Sequence, residues 1–426
     1  MSIPAVAAAA PTQGIRGLKK HTPFLFLLTA RVISRFGDSL DSIAYSWMVY
    51  MLTGSKLLMG TLFAINFIPG IVFSLFTGVL VDRWSKKTVI ITSYSARGAI
   101  VALTALLYWK GWLQPWHLFI FTFMNSSFEC FSGPAEMSVV PRLLPKELLL
   151  SGNSLSASSS RTAELAGVAA AGALIAAFGL SGAILIDACT FFTAAAVLAF
   201  MRISPTEDHP PAAPSSTAAS SEAAYWSQFK EGMAFVRSHR LIMLTMLTAA
   251  VLNVCLTPHN VLETVYVKEV LHSGPSGQSI MGIGFMCGMI ASGLLISAYG
   301  ARYRKSSLIV FGCLLLGVSQ ALFILPSLIQ WQPLAVVTAF SILGGFAVPM
   351  IGTPVSTYMM EVTPKNMLGR IGALSGMIGS SLIPLGSVAT GFAGQHLPVQ
   401  TLYLLAGLIM IIPGLLLLTQ KNFMKL

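Results

Sequence analysis

The stretch "GVLVDRWSKK", Gly78 to Lys87, sets the reading of the whole chain, because it is a short run of charges wedged between two long apolar segments. Leu57 to Val81 precedes it and Thr88 to Trp109 follows, and each has the length needed to cross a bilayer, for which about 20 apolar residues suffice. Working outward, such windows recur almost from end to end. Of the 426 residues, 55% are hydrophobic and only 10% are charged, where a soluble domain carries about 25% charge. That balance excludes a soluble enzyme and predicts an all-α polytopic membrane protein.

Apolar windows bounded by basic or turn residues predict twelve transmembrane helices. The first six run Phe24 to Leu52, Leu57 to Val81, Thr88 to Trp109, Pro115 to Val140, Asn153 to Phe178 and Ser181 to Met201. The second six run Leu241 to Val267, Ser276 to Tyr299, Ser307 to Leu328, Pro333 to Met359, Met367 to Ala393 and Thr401 to Leu418. The domain division expected is a cytoplasmic tail at 1–22, a six-helix bundle at 23–201, a cytoplasmic linker at 202–240, a second six-helix bundle at 241–420 and a tail at 421–426. The linker opens on the Pro, Ser and Ala-rich "SPTEDHPPAAPSSTAASSE", a composition too poor in apolar groups to pack. Its second part places Trp226, Phe229, Met233 and Val236 on one helical face, as in an amphipathic helix along the membrane surface; the alternative is an early start to span seven.

Charge placement predicts orientation. With the N-terminus inside, 19 of the 26 Lys and Arg fall in cytoplasmic segments, Lys56, Lys110 and Lys268 fall outside, and Arg31, Arg35, Arg97 and Arg161 lie within spans. Both ends are therefore expected in the cytoplasm, and an even number of spans follows. The same distribution explains the net charge of +11 as a topology signal, so no nucleic-acid partner is expected. The N-terminal alanine run precedes its basic residues, the reverse of a signal peptide, and reads as a tail. Five cysteines lie in apolar segments without metal-ligand spacing, so neither disulfides nor a metal site is expected.

An internal repeat supports the division into two halves. "GPAEMSVVPRLLPKEL" at the end of span four resembles "GTPVSTYMMEVTPKNM" at the end of span ten, with Pro134 matching Pro354 and Pro145-Lys146 matching Pro364-Lys365. A parallel repeat is the expected arrangement when two halves rock about a central site. The loop at 78–87 itself resembles the signature of the major facilitator superfamily, Gly-x-Leu-Ala-Asp-Arg-x-Gly-Arg-Lys, through Gly78, Leu80, Asp82, Arg83 and Lys87, with Lys86 in place of Arg. The corresponding place after span eight, "SAYGARYRK", keeps Gly300 and the basic end but lacks the acid. Further likeness, carried by "RVISRFGDSL", "WMVYMLTGS", "SGPAEMSVVPRLLP", "LIDACTFF", "FKEGMAFVRSH" and "LGRIGALSG", is to the macrolide-efflux branch, which includes exporters of the enterobactin kind.

That resemblance implies the major facilitator fold, alternating access, and a latch formed by Gly78, Asp82, Arg83, Lys86 and Lys87. It also implies a cavity lined by spans one, four, seven and ten. The candidates on those spans are Tyr45, Trp47, Asn125, Phe128, Asn253, Asn260 and Tyr358, together with Phe131 and Met350. One departure stands out: span five reads "LAGVAAAGALI", with no proline where antiporters of the superfamily often carry Gly-Pro-x-x-Gly-Gly.

Charges within spans are costly and are functional candidates unless they pair locally. Arg31, Arg35, Asp38 and Asp41 follow one another along one stripe of span one. Asp38 reads either as a proton-titrating carboxylate or as the partner of Arg35 in a helix-locking ion pair. Glu129 sits halfway along span four, with Asn125 one turn earlier, and is either a second titrating acid or the partner of Arg31, Arg35, Arg97 or Arg161. Arg161 and Glu164 are expected to pair with each other, and Asp187 reads as an interfacial acid at the outer start of span six. In span seven, Asn253, His259, Asn260 and Glu263 surround Pro258; His259 is either a proton relay or a hydrogen-bonded structural residue. Gly284 with Gly288, and Gly372 with Gly376, are expected to seat close helix contacts.

The proton-coupling candidates are therefore Asp38, Glu129, Asp41 and His259, with Arg31, Arg35, Arg97, Arg161 and Glu164 as intramembrane charge partners. The function expected is proton-coupled efflux of small amphipathic compounds such as drugs, macrolides or siderophore-like molecules, by a monomer in the cytoplasmic membrane. The alternatives are an uptake permease or uniporter for a polar nutrient and, more remotely, an intramembrane enzyme; HExxH and GxSxG are absent. No nucleotide-binding loop is present, so no ATP use and no cofactor are expected; the partners are the small-molecule substrate, protons and the lipid bilayer.

Overall fold

The computed structural model describes residues 17–201, 230–329, 332–364, 367–420 and 423–424, with backbone alone at 74–83, 301, 368–370 and 373. Among the described residues every regular element is helical. The first half consists of helices Thr22–Thr53, Lys56–Arg83, Lys86–Trp109 and Pro115–Leu143, followed by a continuous run of 54 residues, Lys146–Ala199. At about 1.5 Å per residue that run is far too long for one crossing of a ~30 Å core. It is divided by Gly179, whose φ of 71° lies in the left-handed region that a side chain disfavours, and the break falls at the predicted boundary of spans five and six.

The second half shows the same logic through proline. Span seven is Arg240–Cys255 followed by Thr257–Glu269, and span eleven is Leu368–Ser381 followed by Ile383–His396. Span nine is Lys305–Ala321 continued by a 3-10 turn, Leu322–Ile324, and a last turn, Leu325–Leu328. Pro258, Pro384 and Pro326 each sit just past the break, where a missing N–H is tolerated and the ring does not clash with a preceding turn. Spans eight, ten and twelve are Pro275–Tyr299, Pro333–Val362 and Val399–Thr419. The helices thus follow the twelve apolar windows one for one.

Among the described residues, nine helical segments are long and apolar enough to cross a membrane, Lys146–Ala199 being one of them and covering two spans. Thr22–Thr53 and Pro115–Leu143 fall outside that set although both are long enough. These are the two helices that carry Arg31, Arg35, Asp38, Asp41, Glu129 and Glu136. Apolar side chains cover much of the outside, with Leu294, Leu385 and Leu416 exposed, as lipid-facing residues are. Trp109, Trp112 and Trp116 stand out from the turn between spans three and four, Trp109 at 73% exposure, as an interfacial anchor does. All five cysteines are free thiols.

The chain forms two compact units, Met1–Tyr45 with Pro69–Ala213, and Ser46–Ile68 with Pro214–Leu426. The ends of spans one and two that meet at the turn near Gly54 thus pack with the second unit. In the first unit, span three seats Gly98 against Phe191 of span six, and span five brings Gly167 against the backbone of Phe36 in span one. In the second unit, spans eight and ten meet so closely that a Cβ on Gly288 would lie 2.0 Å from the Ile342 carbonyl oxygen, and one on Gly345 would lie 1.9 Å from that of Phe285. Beside them Cys313, Leu316, Ala347, Met410 and Leu417 form a buried apolar core.

Gly284 and Gly288 therefore seat the expected helix contact. Gly372 and Gly376 do not: no described atom lies within 4 Å of a Cβ built on either. The small-residue spacing is the same in both places, but among the described residues it is span eight whose glycine face is crossed by a helix. Residues 230–238 are helical, and their Val236, Met233 and Phe235 pack on Tyr358, Ile371 and Leu374, so the described part of the amphipathic segment docks on the second unit. Its Trp226 and Phe229, the rest of the linker from 202 to 229, and most of both tails lie outside the described residues.

Candidate functional site

The charges of span one meet their partners on spans three and four, at two levels. At the first level Arg97 of span three is the hub. Its Nη2 donates to Asp38 Oδ1 at 2.8 Å, its Nε donates to Asn125 Oδ1 at 3.1 Å, and Nη2 lies 3.9 Å from Glu129 Oε2. The Phe191 ring of span six closes over the guanidinium at 4.4 Å. Sequence spacing offers Arg35 as the local partner of Asp38, yet among the described ion pairs Asp38 reaches across to Arg97. Burial explains the choice: Arg35 is exposed while Arg97 is enclosed, and an enclosed guanidinium without a carboxylate is much the costlier defect.

At the second level, about two helical turns away, Arg31 Nε donates to Glu136 Oε2 at 2.8 Å. Tyr94 Oη donates to the other oxygen of Glu136 at 2.6 Å, and Ser34 Oγ donates to Tyr94 Oη at 3.5 Å. Glu136 is a site residue that sequence reasoning missed. Its signal was present: it follows Glu129 by seven residues, two turns along the same face of span four, just as Asp38 follows Arg31 by seven on span one.

Two acids remain. Asp41 lies one turn beyond Asp38, and its Oδ1 is buried without a hydrogen-bond partner. Asp187, which its sequence position suggests as an interfacial acid, is enclosed in the protein: it is 1% exposed, with Oδ1 accepting from Thr190 Oγ1 at 3.1 Å and Oδ2 buried without a partner. It lies about two turns past the break at Gly179, where Gly37 of span one leaves room for its carboxyl. Arg161 and Glu164 bond to each other at 2.8 Å, on a largely exposed face.

The aromatic candidates of the first unit flank this group. Tyr45 Oη bonds to Thr122 Oγ1 at 2.7 Å, and Phe128 is half-buried next to Glu129. In the loop between spans two and three, the Lys87 ammonium donates to the carbonyls of Met201 and Ala199 at 2.6 and 2.9 Å, and Lys86 is buried, donating to Trp84 O. The side chains of Gly78, Asp82 and Arg83 lie outside the described residues. In the second half the acid that the "SAYGARYRK" segment lacks is supplied by span ten, where Glu361 pairs with Lys305.

Polarity in the second unit is arranged differently. Asn253 Nδ2 donates to the Gly379 carbonyl at 3.0 Å, and Asn260 is exposed. Gln278 is a hub for neutral donors, its Oε1 accepting from Trp47 Nε1 at 2.6 Å and Thr264 Oγ1 at 3.2 Å while its Nε2 donates to Glu263 at 3.2 Å. Trp47 is thereby buried in a hydrogen bond, and Tyr358 is buried in the apolar cluster under the 230–238 helix. His259 stands among Phe285, Phe323 and Tyr403, each about 6 Å away between ring centres, with its Nδ1 buried and unpartnered. That enclosure is aromatic; none of the carboxylates of the first unit's group belongs to it.

Known proteins share this architecture. The family model described as Major Facilitator Superfamily matches residues 27–387 and 259–423. The chain is 24% identical over 391 residues to Macrolide efflux protein A of Streptococcus pyogenes, covering 91% of this chain and 93% of that protein. Among solved structures, a bacterial homologue of the iron transporter ferroportin superposes with a TM-score of 0.74 at 15% identity, over 93% of this chain and 99% of that one. The nucleoside transporter NupG does so with a TM-score of 0.71 at 14% identity, over 94% and 98%. At such identities the structural likeness speaks for the fold alone.

Proposed function

The chain belongs to the major facilitator superfamily, multi-pass membrane transporters of small molecules, and from that premise we propose that it exports small amphipathic compounds against a proton gradient by alternating access. The observation that carries the proposal is Arg97 between two carboxylates, Asp38 at 2.8 Å and Glu129 at 3.9 Å. One guanidinium neutralises one carboxylate; inside a membrane the second is stable only if it takes a proton or reaches water. Glu129, with 48% of its side chain exposed against 23% for Asp38, is the more accessible of the two. A proton arriving on Glu129 leaves Arg97 wholly to Asp38; its departure draws Arg97 back toward Glu129. A network with two acceptable pairings is the kind of element a proton gradient can bias.

Export, as opposed to uptake, is supported by the likeness to the macrolide efflux protein over most of both chains. An amphipathic cargo fits the aromatic residues beside the charges, Tyr45 and Phe128, and the scarcity of the dense hydrogen-bonding ladders that a sugar requires. The remaining parts of the reading are both termini in the cytoplasm, a monomer in the cell membrane, no use of ATP, and Asp82 with its basic neighbours as the latch between access states.

Everted vesicles test the proposal. Under an imposed pH gradient they should accumulate a macrolide or a lipophilic dye and dissipate the gradient as they do so. Asp38→Asn or Glu129→Gln should abolish uphill accumulation and leave downhill equilibration intact. If both variants keep gradient-driven accumulation, neither acid is the coupler; uptake of a hydrophilic nutrient with no efflux would instead favour a permease.

A further inference from the structure

The pairing just described leaves Asp41 and Asp187 unaccounted for, and they come from helices that sequence order separates by more than a hundred residues. What brings them together is Gly37. A Cβ at that position would lie 2.2 Å from Asp187 Oδ1 and 2.0 Å from Thr190 Oγ1, so span six presses Asp187 against the bare backbone of span one. Asp41 is the next residue on the same helical face, one turn further on. The two carboxylates lie within electrostatic reach of each other, of Asp38 and of Arg97.

Each also presents a buried oxygen with no hydrogen-bond partner: Oδ1 of Asp41 and Oδ2 of Asp187. Among the described residues, these are the titratable and charged neighbours that act on them. Span one contributes Asp38 and Tyr45, span three Arg97, and span six Thr190; Glu129 of span four and Arg35 act on Asp38 from further out. Span five meets span one here through Gly167 against Phe36 and Ser39, without a charge. Arg97 is the one enclosed cation in the set, and Asp38 already holds it at 2.8 Å. Asp187 is 1% exposed and Asp41 half-buried, and with Arg97 already held by Asp38 one shared proton is the cheaper arrangement for the two; a carboxyl oxygen without a donor becomes a donor itself once protonated.

We propose that Asp41 and Asp187 form a buried carboxyl pair that binds one proton, a second protonation site in the transport cycle beside the Asp38, Arg97 and Glu129 group. The proton is carried on a carboxyl oxygen of one member and is given to water when span six and span one part at Gly37. Its role in transport rests on the proton-coupled reading above; the existence of the protonated pair does not.

Infrared spectroscopy of the purified protein in lipid nanodiscs reads the pair directly, through the C=O stretch of a protonated carboxyl and its shift in deuterium oxide. The parent protein at neutral pH should show this band. Asp187→Asn, which keeps the shape and the Thr190 contact, should weaken the band or shift it, and so should Asp41→Asn; Glu164→Gln should leave it unchanged. A band of unchanged position and strength in both aspartate variants would overturn the proposal, as would its absence from the parent. If Asp187→Asn does not yield folded protein, the Asp41→Asn spectrum decides alone. Proteoliposomes with ethidium as the probe separate the two readings: a parent protein that moves nothing under a pH gradient counts against proton-coupled export, while the band still decides the pair.

Discussion

In the first unit, buried polarity is ionic: Arg31 holds Glu136, Arg97 holds Asp38, and further carboxylates stand by at Glu129, Asp41 and Asp187. In the second it is mostly neutral: Asn253 is spent on a backbone carbonyl, Thr257 on Thr390, and Gln278 on Trp47, Thr264 and Glu263. The difference matters because ionic groups with surplus partners can re-pair and exchange protons, whereas a saturated neutral bond has one good arrangement. On the proton-coupled proposal, the first unit is the part that would respond to the gradient. The second reads as a frame, closed by glycine contacts between spans eight and ten.

Removing Arg97 should break that contrast most severely. Arg97→Met keeps an unbranched apolar stem but strands Asp38 in the interior, and losing one member of a buried ion pair costs about 3–5 kcal/mol. We expect a large fall in thermal stability in detergent together with complete loss of uphill transport. Adding Asp38→Asn to Arg97→Met should restore much of the stability and none of the coupling. A single variant as stable as the parent would mean that the pair is not buried as described.

A lesion in the frame should act on stability alone. Gly288→Val drives a branched side chain into the Ile342 carbonyl, and overpacking of this kind costs about 1–3 kcal/mol or more. Thermal stability should drop, while the pH dependence of whatever transport survives should match the parent. A shifted pH profile would show that the second unit takes part in proton handling.

The same contrast explains what could be read from sequence. The positions of the long helices were legible because a helix in lipid must satisfy its own backbone and match the bilayer in length, both local properties. The charged residues were legible one at a time, since Asp38, Arg97 and Glu129 are conspicuous in apolar surroundings. Arg97 was among the partners open to Glu129, but the partner of Asp38 was not legible. Arg35 is nearer to Asp38 in sequence, and only the register between spans one and three decides for Arg97. Glu136 was passed over because it lies towards the end of its span among turn-like residues, and Asp187 because its enclosure depends on the packing of span six against Gly37 of span one. Gly372 and Gly376 carry the right spacing on a face that no described helix meets.

The smallest effect should come from the segment Ser46–Ile68, which packs with the second unit through both kinds of contact. Lys56 Nζ lies 2.9 Å from Glu269 Oε2, and Tyr50 Oη donates to the other oxygen of that carboxylate at 2.7 Å. This pair is partly exposed at the helix ends, and exposed ion pairs contribute about 0–1 kcal/mol. Tyr50 would still satisfy Glu269 after Lys56→Gln, so the change in thermal stability should be near the limit of detection and should vanish in high salt. Trp47→Phe removes a buried donor from Gln278 and leaves Thr264 as its remaining donor, at a cost of about 1 kcal/mol or slightly more. The expected order is therefore Trp47→Phe above Lys56→Gln. If the lysine variant proves the more damaging, the segment is held by charge, and the distinction between an ionic first unit and a neutral second one fails at the turn that joins spans one and two.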